Sequence, residues 1–346
     1  MDNFKIFSTF TGAGGLDIGF HGDFEFLGKK YPKLNFETIC ALEYNNEACL
    51  SLKENKKYFN KTTILEADIT KTSPREYKNK DIDVLLGGFP CVTFSMSGSR
   101  LGIKDDLAGQ LYKSYSKFVK TIQPKIFLAE NVKGILSANK GEAIKVIVKE
   151  FEKAGYKVKY KLINFADFGV PQKRERVIFI GIRNDLDIDF EFPNPIITDK
   201  SNYISVLEAF KDVEKCPYNN EFIKQREKTI NMLNHIPEGG NFKDLPPNLI
   251  IKASQSNIYR RLDRNIPSYT VLASGGGGTW TYHYEEPRAL TNRERARLQS
   301  FPDDYKFIGS ITEVRRQIGN AVPPVGIYYI AKEIEKLLKK IAEVEG

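Results

Sequence analysis

The sequence is poor in the residues that make metal centres and disulfide frameworks. Its three histidines, His21, His235 and His283, and its four cysteines, Cys40, Cys49, Cys91 and Cys216, are scattered, and no two cysteines form a C-x-x-C pair. Neither a zinc site nor a disulfide scaffold is expected, so any cysteine chemistry must rest on a single thiol. No apolar run approaches the roughly 18 residues of a membrane span, and the first residues lack a signal-peptide pattern. A cytoplasmic protein is expected. Internal repeats and low-complexity tracts are also absent. With 346 residues the chain has room for one large domain and a smaller one.

Lysine and arginine, 52 together, exceed aspartate and glutamate, 44, by eight charges. This basic balance suits a polyanionic partner, although surface lysines alone would produce it.

The chain is organised around the apolar run Val84, Leu85, Leu86, which breaks into Gly87, Gly88, Phe89, Pro90 and Cys91. Such a run reads as a buried parallel strand, whose carboxyl end is where open α/β sheets hold their ligands. Pro90 fixes its own φ and stiffens the approach to Cys91. Taken locally, Cys91 is equally a small buried hydrophobe.

A strand ending at Phe10 leads into Thr11, Gly12, Ala13, Gly14 and Gly15, a glycine turn that lets a nucleotide-like ligand lie against bare backbone at a helix start. Its spacing is not G-x-G-x-x-G. The next strand ends in Glu43, where Rossmann-like folds hold ribose hydroxyls. Asp68 and Ile69 follow another short apolar stretch, and a carboxylate there can accept from an adenine amino group. Residues 95–109 read as a glycine-hinged loop over the site, followed by a helix from Leu111. The strand Ile126, Phe127, Leu128, Ala129 ends at Glu130, followed by Asn131 and Val132. On a strand next to that of Cys91, Glu130 has two local readings, a helix cap or a proton-exchanging group. Gln172, Arg174 and Arg176 alternate onto one face of an extended segment.

From about residue 185 prolines and asparagines replace the strand–helix alternation, as expected of a second module. There Arg260, Arg261 and a glycine run through Gly276 and Gly277 mix cationic, aromatic and flexible residues, a mixture common in nucleic-acid readers. Residues 288–302 read as a threonine-capped, arginine-rich helix with one face toward DNA backbone. The final amphipathic helix is expected to dock on the main sheet and to carry Asn320 and Val322 back to it.

These segments, in this order from Phe10 to Pro324, resemble the bacterial DNA (cytosine-5)-methyltransferase family. The resemblance implies a Rossmann-like, S-adenosylmethionine-dependent α/β sheet with a smaller target-recognition domain. The implied division is a catalytic and cofactor domain over 1–185, a recognition domain over 186–287, a hinge and arginine helix over 288–316, and a returning segment over 317–346. It implies a donor site formed by Phe10, Gly12, Gly14, Gly15, Glu43, Asp68, Ile69, Pro90, Leu111, Asn320 and Val322. Cys91, Glu130, Arg174 and Arg176 would be catalytic, and Ser97, Gln172, Arg260, Arg261, Thr270, Val271, Gly276 and Gly277 would meet DNA.

The implied chemistry suits the residue types. Carbon 5 of cytosine is a poor nucleophile until the Cys91 thiolate adds at carbon 6. Glu130 would hydrogen-bond or protonate ring nitrogen 3, and Arg174 would hold the base carbonyl and Glu130 in place. The base must be flipped out of duplex DNA to be reached. The expected partners are double-stranded DNA and a restriction endonuclease of the same site, with no metal, for a monomeric enzyme. Val92 departs from the family, which usually has glutamine there, and Ala108 and Gln110 depart from an Arg-Gly-Thr run. An RNA cytosine methyltransferase, a donor-binding protein without turnover and a nicotinamide dehydrogenase are the competing readings. The last leaves Cys91, Glu130 and the arginine helix unexplained together.

Overall fold

Short apolar runs, each closed by a glycine or a polar residue, form the strands of one sheet. The structure, a computed structural model, describes residues 3–90, 107–251, 257–273 and 281–345. Its strands are β1 (Phe4–Thr9), β2 (Phe24–Phe26), β3 (Lys29–Tyr31), β4 (Phe36–Glu43), β5 (Thr63–Glu66), β6 (Val84–Gly87), β7 (Ile126–Val132), β8 (Tyr156–Asn164) and β9 (Glu175–Arg183). Seven of them form a sheet in the order β5-β4-β1-β6-β7-β9-β8, and β2 pairs with β3 as a separate hairpin.

The sheet is parallel from β5 to β7, whereas β9 runs antiparallel to both β7 and β8. Strand order reverses at β1, with β4 on one side and β6 on the other, which opens a crevice at the carboxyl ends of these strands. The expected neighbourhood of the Cys91 and Glu130 strands holds: Gly87 is paired with Ala129.

Alternate residues of β1 feed two apolar layers. Ile6 joins Leu16, Ile18, Ile327 and Ile330 on one face, and Phe7 joins Leu85, Phe118, Phe127 and Phe151 on the other. Each such side chain stabilises the fold by about 1.5–3 kcal/mol when fully buried. The helix Pro324–Glu345, expected on the main sheet, packs chiefly against the helix Gly15–His21, which shares an apolar layer with β1, and 320–322 line the crevice. Among the described residues no helix is long and apolar enough to cross a membrane.

Beyond residue 185 the elements are short, chiefly Val206–Phe210, Glu227–Asn234 and several 3-10 turns. Met232, Ile236, Phe242 and Leu245 form a small core there, while Val206, Phe210, Leu262 and Tyr284 join the main one.

Arg176 lies on β9, and Gln172, bridged to Ser268, and Arg174 lie on the approach to that strand. One expectation changes. The arginine helix, Asn292–Leu298, does not face solvent: all seven residues are buried. Arg293 donates to the carbonyls of Tyr218, Pro302 and Tyr305, and Arg297 to those of Ala209 and Lys211 and to Asp303. The helix is an internal clamp for irregular chain, whose carbonyls have no ladder partners.

Candidate active site

The crevice is a cavity of about 500 Å³. One side begins where β1 ends, as Phe10 and Gly12 take positive φ values of 50° and 55°. This turn aims the Gly12 N–H at Glu43 Oε2, 2.7 Å away, while Oε1 accepts from the Asn45 N–H at 2.8 Å. Two main-chain donors therefore fix the carboxylate at the end of β4, and each oxygen keeps a lone pair for a ligand. Asn45 also caps the helix Asn46–Glu54 through the Ala48 N–H.

Gly15 permits the opposite wall to close. A Cβ built on it would stand 2.2 Å from the carbonyl oxygen of Val322, so only glycine lets the returning segment come this near. Gln317, Asn320 and Val322 line that wall. Ser51 donates to Gln317 Oε1 at 2.7 Å, and Gln317 donates to the Ile308 carbonyl, which holds the segment in place.

The far end is formed by Gly88, Phe89 and Pro90 after β6 and by Glu130, Asn131 and Val132 of β7. Asn131 donates to the Phe89 carbonyl at 3.0 Å, tying the two strand ends together. Glu130 is buried, and burial raises its carboxyl above the usual range, opposed by the charges of Arg176 and Arg174. Arg176 Nε lies 2.8 Å from Glu130 Oε1. The N–H of that nitrogen is not satisfied as a hydrogen bond, so the contact is mainly Coulombic.

Arg174 does something else than hold Glu130. Its guanidinium donates to the carbonyls of Val271, Gly319 and Ala321 at 3.3, 3.0 and 3.0 Å. Burial, then the charge of Arg176, lowers its pKa to about 9. The residue expected to orient the acid therefore ties the returning wall to the chain at Val271, and Arg176 is the acid's ion-pair partner.

Of the expected donor-site residues, Phe10, Gly12, Gly15, Glu43, Pro90, Asn320 and Val322 line the cavity. Four others stand apart from its lining. Gly14 packs toward Phe59 and Leu52, and Ile69 and Leu111 belong to the apolar layer. Asp68 receives the N–H and hydroxyl of Thr70, which lower its pKa. Asn45, Ala48, Arg316 and Gln317 were missed; Asn45 was legible only as a helix cap.

Several expected DNA contacts are buried instead. Gln172 donates to the Leu298 carbonyl and to Gln299 and accepts from the Val271 N–H. Arg261 donates to the carbonyls of Leu233, Ile236, His283 and Tyr284. The Val271 side chain is in the core. Thr270, half-buried, donates to the Lys173 carbonyl, and Arg260 is partly accessible. Cys91, Ser97, Gly276 and Gly277, together with Val92, lie outside the described residues. Among the described residues no cluster of His, Cys, Asp or Glu is arranged to hold a metal ion.

A mixed, mostly parallel sheet with a carboxylate-anchored crevice at its reversal point, leading to a buried acid–arginine pair, has the layout of a nucleotide-cofactor enzyme of the α/β class. The profile of the C-5 cytosine-specific DNA methylases matches residues 4–336. The chain belongs to that family and is a DNA (cytosine-5)-methyltransferase that uses S-adenosylmethionine as methyl donor. It is 48% identical over 337 residues to the Type II methyltransferase M.NgoFVII of Neisseria gonorrhoeae, covering 95% of this chain and 86% of that protein. It is 40% identical over 352 residues to the Type II methyltransferase M.BbvI of Brevibacillus brevis, covering 99% and 92%. The fold is shared with the S. pombe Dnmt2 methyltransferase, at a TM-score of 0.65 and 15% identity, over 98% of this chain and 99% of that one.

Proposed function

We propose that the protein methylates carbon 5 of a cytosine flipped out of duplex DNA, through a covalent adduct with Cys91, as the modification enzyme of a Type II restriction-modification system. The observation that carries this reading is the buried Glu130–Arg176 pair in the wall of the cavity that Pro90 also lines. Pro90, the last described residue of its stretch, directly precedes Cys91 in the sequence. The other thiols are poor candidates. Burial pushes Cys40 up to about 11 and Cys49 up to about 12, and raises Cys216 as well, which suppresses their thiolates.

In this reading the Cys91 thiolate adds to carbon 6 of the base, and Glu130 holds a proton against ring nitrogen 3 as charge develops there. A buried carboxyl with a raised pKa retains that proton nearer neutral pH than a free one does. Arg176 orients Glu130 and faces the base carbonyl. Once carbon 5 carries its new methyl, loss of its proton restores the double bond and expels Cys91.

The residues present fit the donor. Glu43, with both oxygens fixed, suits two ribose hydroxyls; Phe10 suits the adenine; Gly12, Gly15, Asn320 and Val322 frame the remainder. When bound, S-adenosylmethionine supplies an electrophilic methyl group. Residues 1–185 and 317–346 make up the catalytic part, 288–316 the internal clamp, and 186–287 the part that reads the target. The enzyme acts as a monomer, since one chain supplies every group named, and a companion endonuclease cuts the same site. The relatives' designation as Type II methyltransferases supports this last point.

Methyl incorporation into duplex DNA from labelled donor tests the reading. Cys91→Ala is expected to abolish transfer and keep donor binding. Undiminished transfer by that variant, or incorporation into RNA alone, overturns it.

A further inference from the structure

Arg260 and Arg261 project to opposite sides of one stretch of chain. The Arg261 N–H bonds the Gly240 carbonyl at 2.9 Å, and the Tyr282 N–H bonds the Arg260 carbonyl at 3.0 Å. Arg261 points inward onto four carbonyls. Its neighbour faces the other way, as successive side chains of extended backbone do. Arg260 meets Tyr269, with its guanidinium carbon 3.3 Å from the ring centroid. At that separation the guanidinium is in face contact with the ring, and its fork is held on one platform.

Tyr269 is itself fixed. On one side the Ser268 N–H bonds the Pro171 carbonyl at 3.0 Å, and the Lys173 N–H bonds the Ser268 carbonyl at 2.8 Å. On the other, Thr270 Oγ1 bonds the Lys173 carbonyl at 2.9 Å. The platform therefore rides on the segment that runs directly into Arg174 and Arg176 of the cavity wall. Tyr269 is 37% exposed, and Lys173 is exposed beside it. Arg260 Nε is buried without a hydrogen-bond partner among the described residues.

We propose that Arg260, stacked on Tyr269, is a specificity-determining residue that reads a guanine of the recognition sequence through its major-groove edge. The inference rests on the reading of the protein as a duplex-DNA methyltransferase. A guanidinium fork matches the O6 and N7 acceptors of guanine, the commonest specific side-chain contact to a base. Stacking on Tyr269 removes rotamer freedom beforehand, so less is lost on binding. Lysine lacks the fork and is no substitute.

The test uses the full-length protein on the duplex site located by bisulfite sequencing, with each guanine in turn replaced by 7-deazaguanine, which lacks N7. One replacement is expected to lower wild-type kcat/KM by about tenfold or more, and to cost Arg260→Ala and Arg260→Lys nothing further. Arg260→Lys keeps the charge and the wild-type salt dependence, which separates lost reading from lost folding. Tyr269→Phe keeps the wild-type pattern. Replacement effects that add in full to Arg260→Ala at every guanine overturn the inference. So does an Arg260→Ala defect uniform across sequences with a salt slope lower by about one, the mark of a phosphate contact. Failure of the wild type to methylate any unmodified duplex overturns the parent reading instead.

Discussion

Arg176 Nε stands 2.8 Å from Glu130 Oε1, with only 12% and 11% of the two side chains exposed. The pair sets the proton affinity of the acid from two directions. Burial, the larger effect, favours the neutral carboxyl, and the charge of Arg176, followed by that of Arg174, favours the carboxylate. Arg174 is committed to three carbonyls, which leaves Arg176 as the adjustable partner.

Removing Arg176 leaves burial less opposed, so the Glu130 pKa rises further. Arg176→Met is expected to move the alkaline limb of the kcat–pH profile to higher pH, because the protonated acid persists longer. Loss of a preorganised cation at the base should also lower kcat by about 10²–10³-fold. The check is kcat against pH at saturating DNA and donor. A limb that stays in place would remove Glu130 from the rate-limiting titration.

Gly15 gives a second prediction. A methyl group there would meet the Val322 carbonyl oxygen at 2.2 Å, and neither group is a flexible side-chain end. Gly15→Ala should push the returning wall outward and raise the donor dissociation constant about tenfold or more, because a small misplacement of a binding group is costly. Donor titration without DNA measures it. Unchanged donor affinity would mean that Val322 does not help to frame the donor.

The strand ends of the site were legible because each announces itself. Glycines break the β1 and β6 runs, and acids close the β4 and β7 runs at the carboxyl edge of the sheet. Asp68 stands apart from the cavity lining, and its Oδ1 accepts both the N–H and the hydroxyl of Thr70, two residues on, a local turn signal that the sequence also carries. Gln172, Arg261, Arg293 and Arg297 were less legible. Sequence displays their charge or polarity, whereas their role depends on which carbonyls of irregular chain lack partners, and that is known only once the segment 186–310 is folded. The alternation of Gln172, Arg174 and Arg176 does bring Arg174 and Arg176 to one cavity, while Gln172, bridged to Ser268, turns to the carbonyl of Leu298 and to Gln299.

Asp17 predicts a pH-dependent stability. It is fully buried, accepts hydroxyl hydrogen bonds from Ser8 and Thr38 at 3.0 and 2.9 Å, and has its pKa raised from 3.8 to about 6 by burial. A raised folded-state pKa means that the folded protein binds the extra proton. Its contribution is therefore complete below about pH 4 and is lost as pH rises through about 6. At about 1.4 kcal/mol per unit the loss is on the order of 3 kcal/mol. Asp17→Asn should remove this slope, making the variant more stable than the wild type above pH 6 relative to their difference at pH 4. Urea unfolding across that range measures it, and parallel curves for the two proteins would refute the assignment.

The arginine helix supplies the sharpest contrast between a contact with DNA and a contact with the fold. Arg293 has no exposed surface, and its donors reach the carbonyls of Tyr218, Pro302 and Tyr305 at 2.9, 3.1 and 2.5 Å. Arg293→Met strands these acceptors, each at a cost of about 1–3 kcal/mol if it stays buried and unpaired. The variant should therefore lose stability by several kcal/mol, on the order of 3–5, as when one partner of a buried charged contact is removed. Were Arg293 on a phosphate, the variant would instead melt normally and bind DNA with a salt slope lower by about one. Thermal unfolding together with the slope of log affinity against log salt distinguishes the two outcomes. The expectation is a lowered midpoint with an unchanged slope in the protein that remains folded.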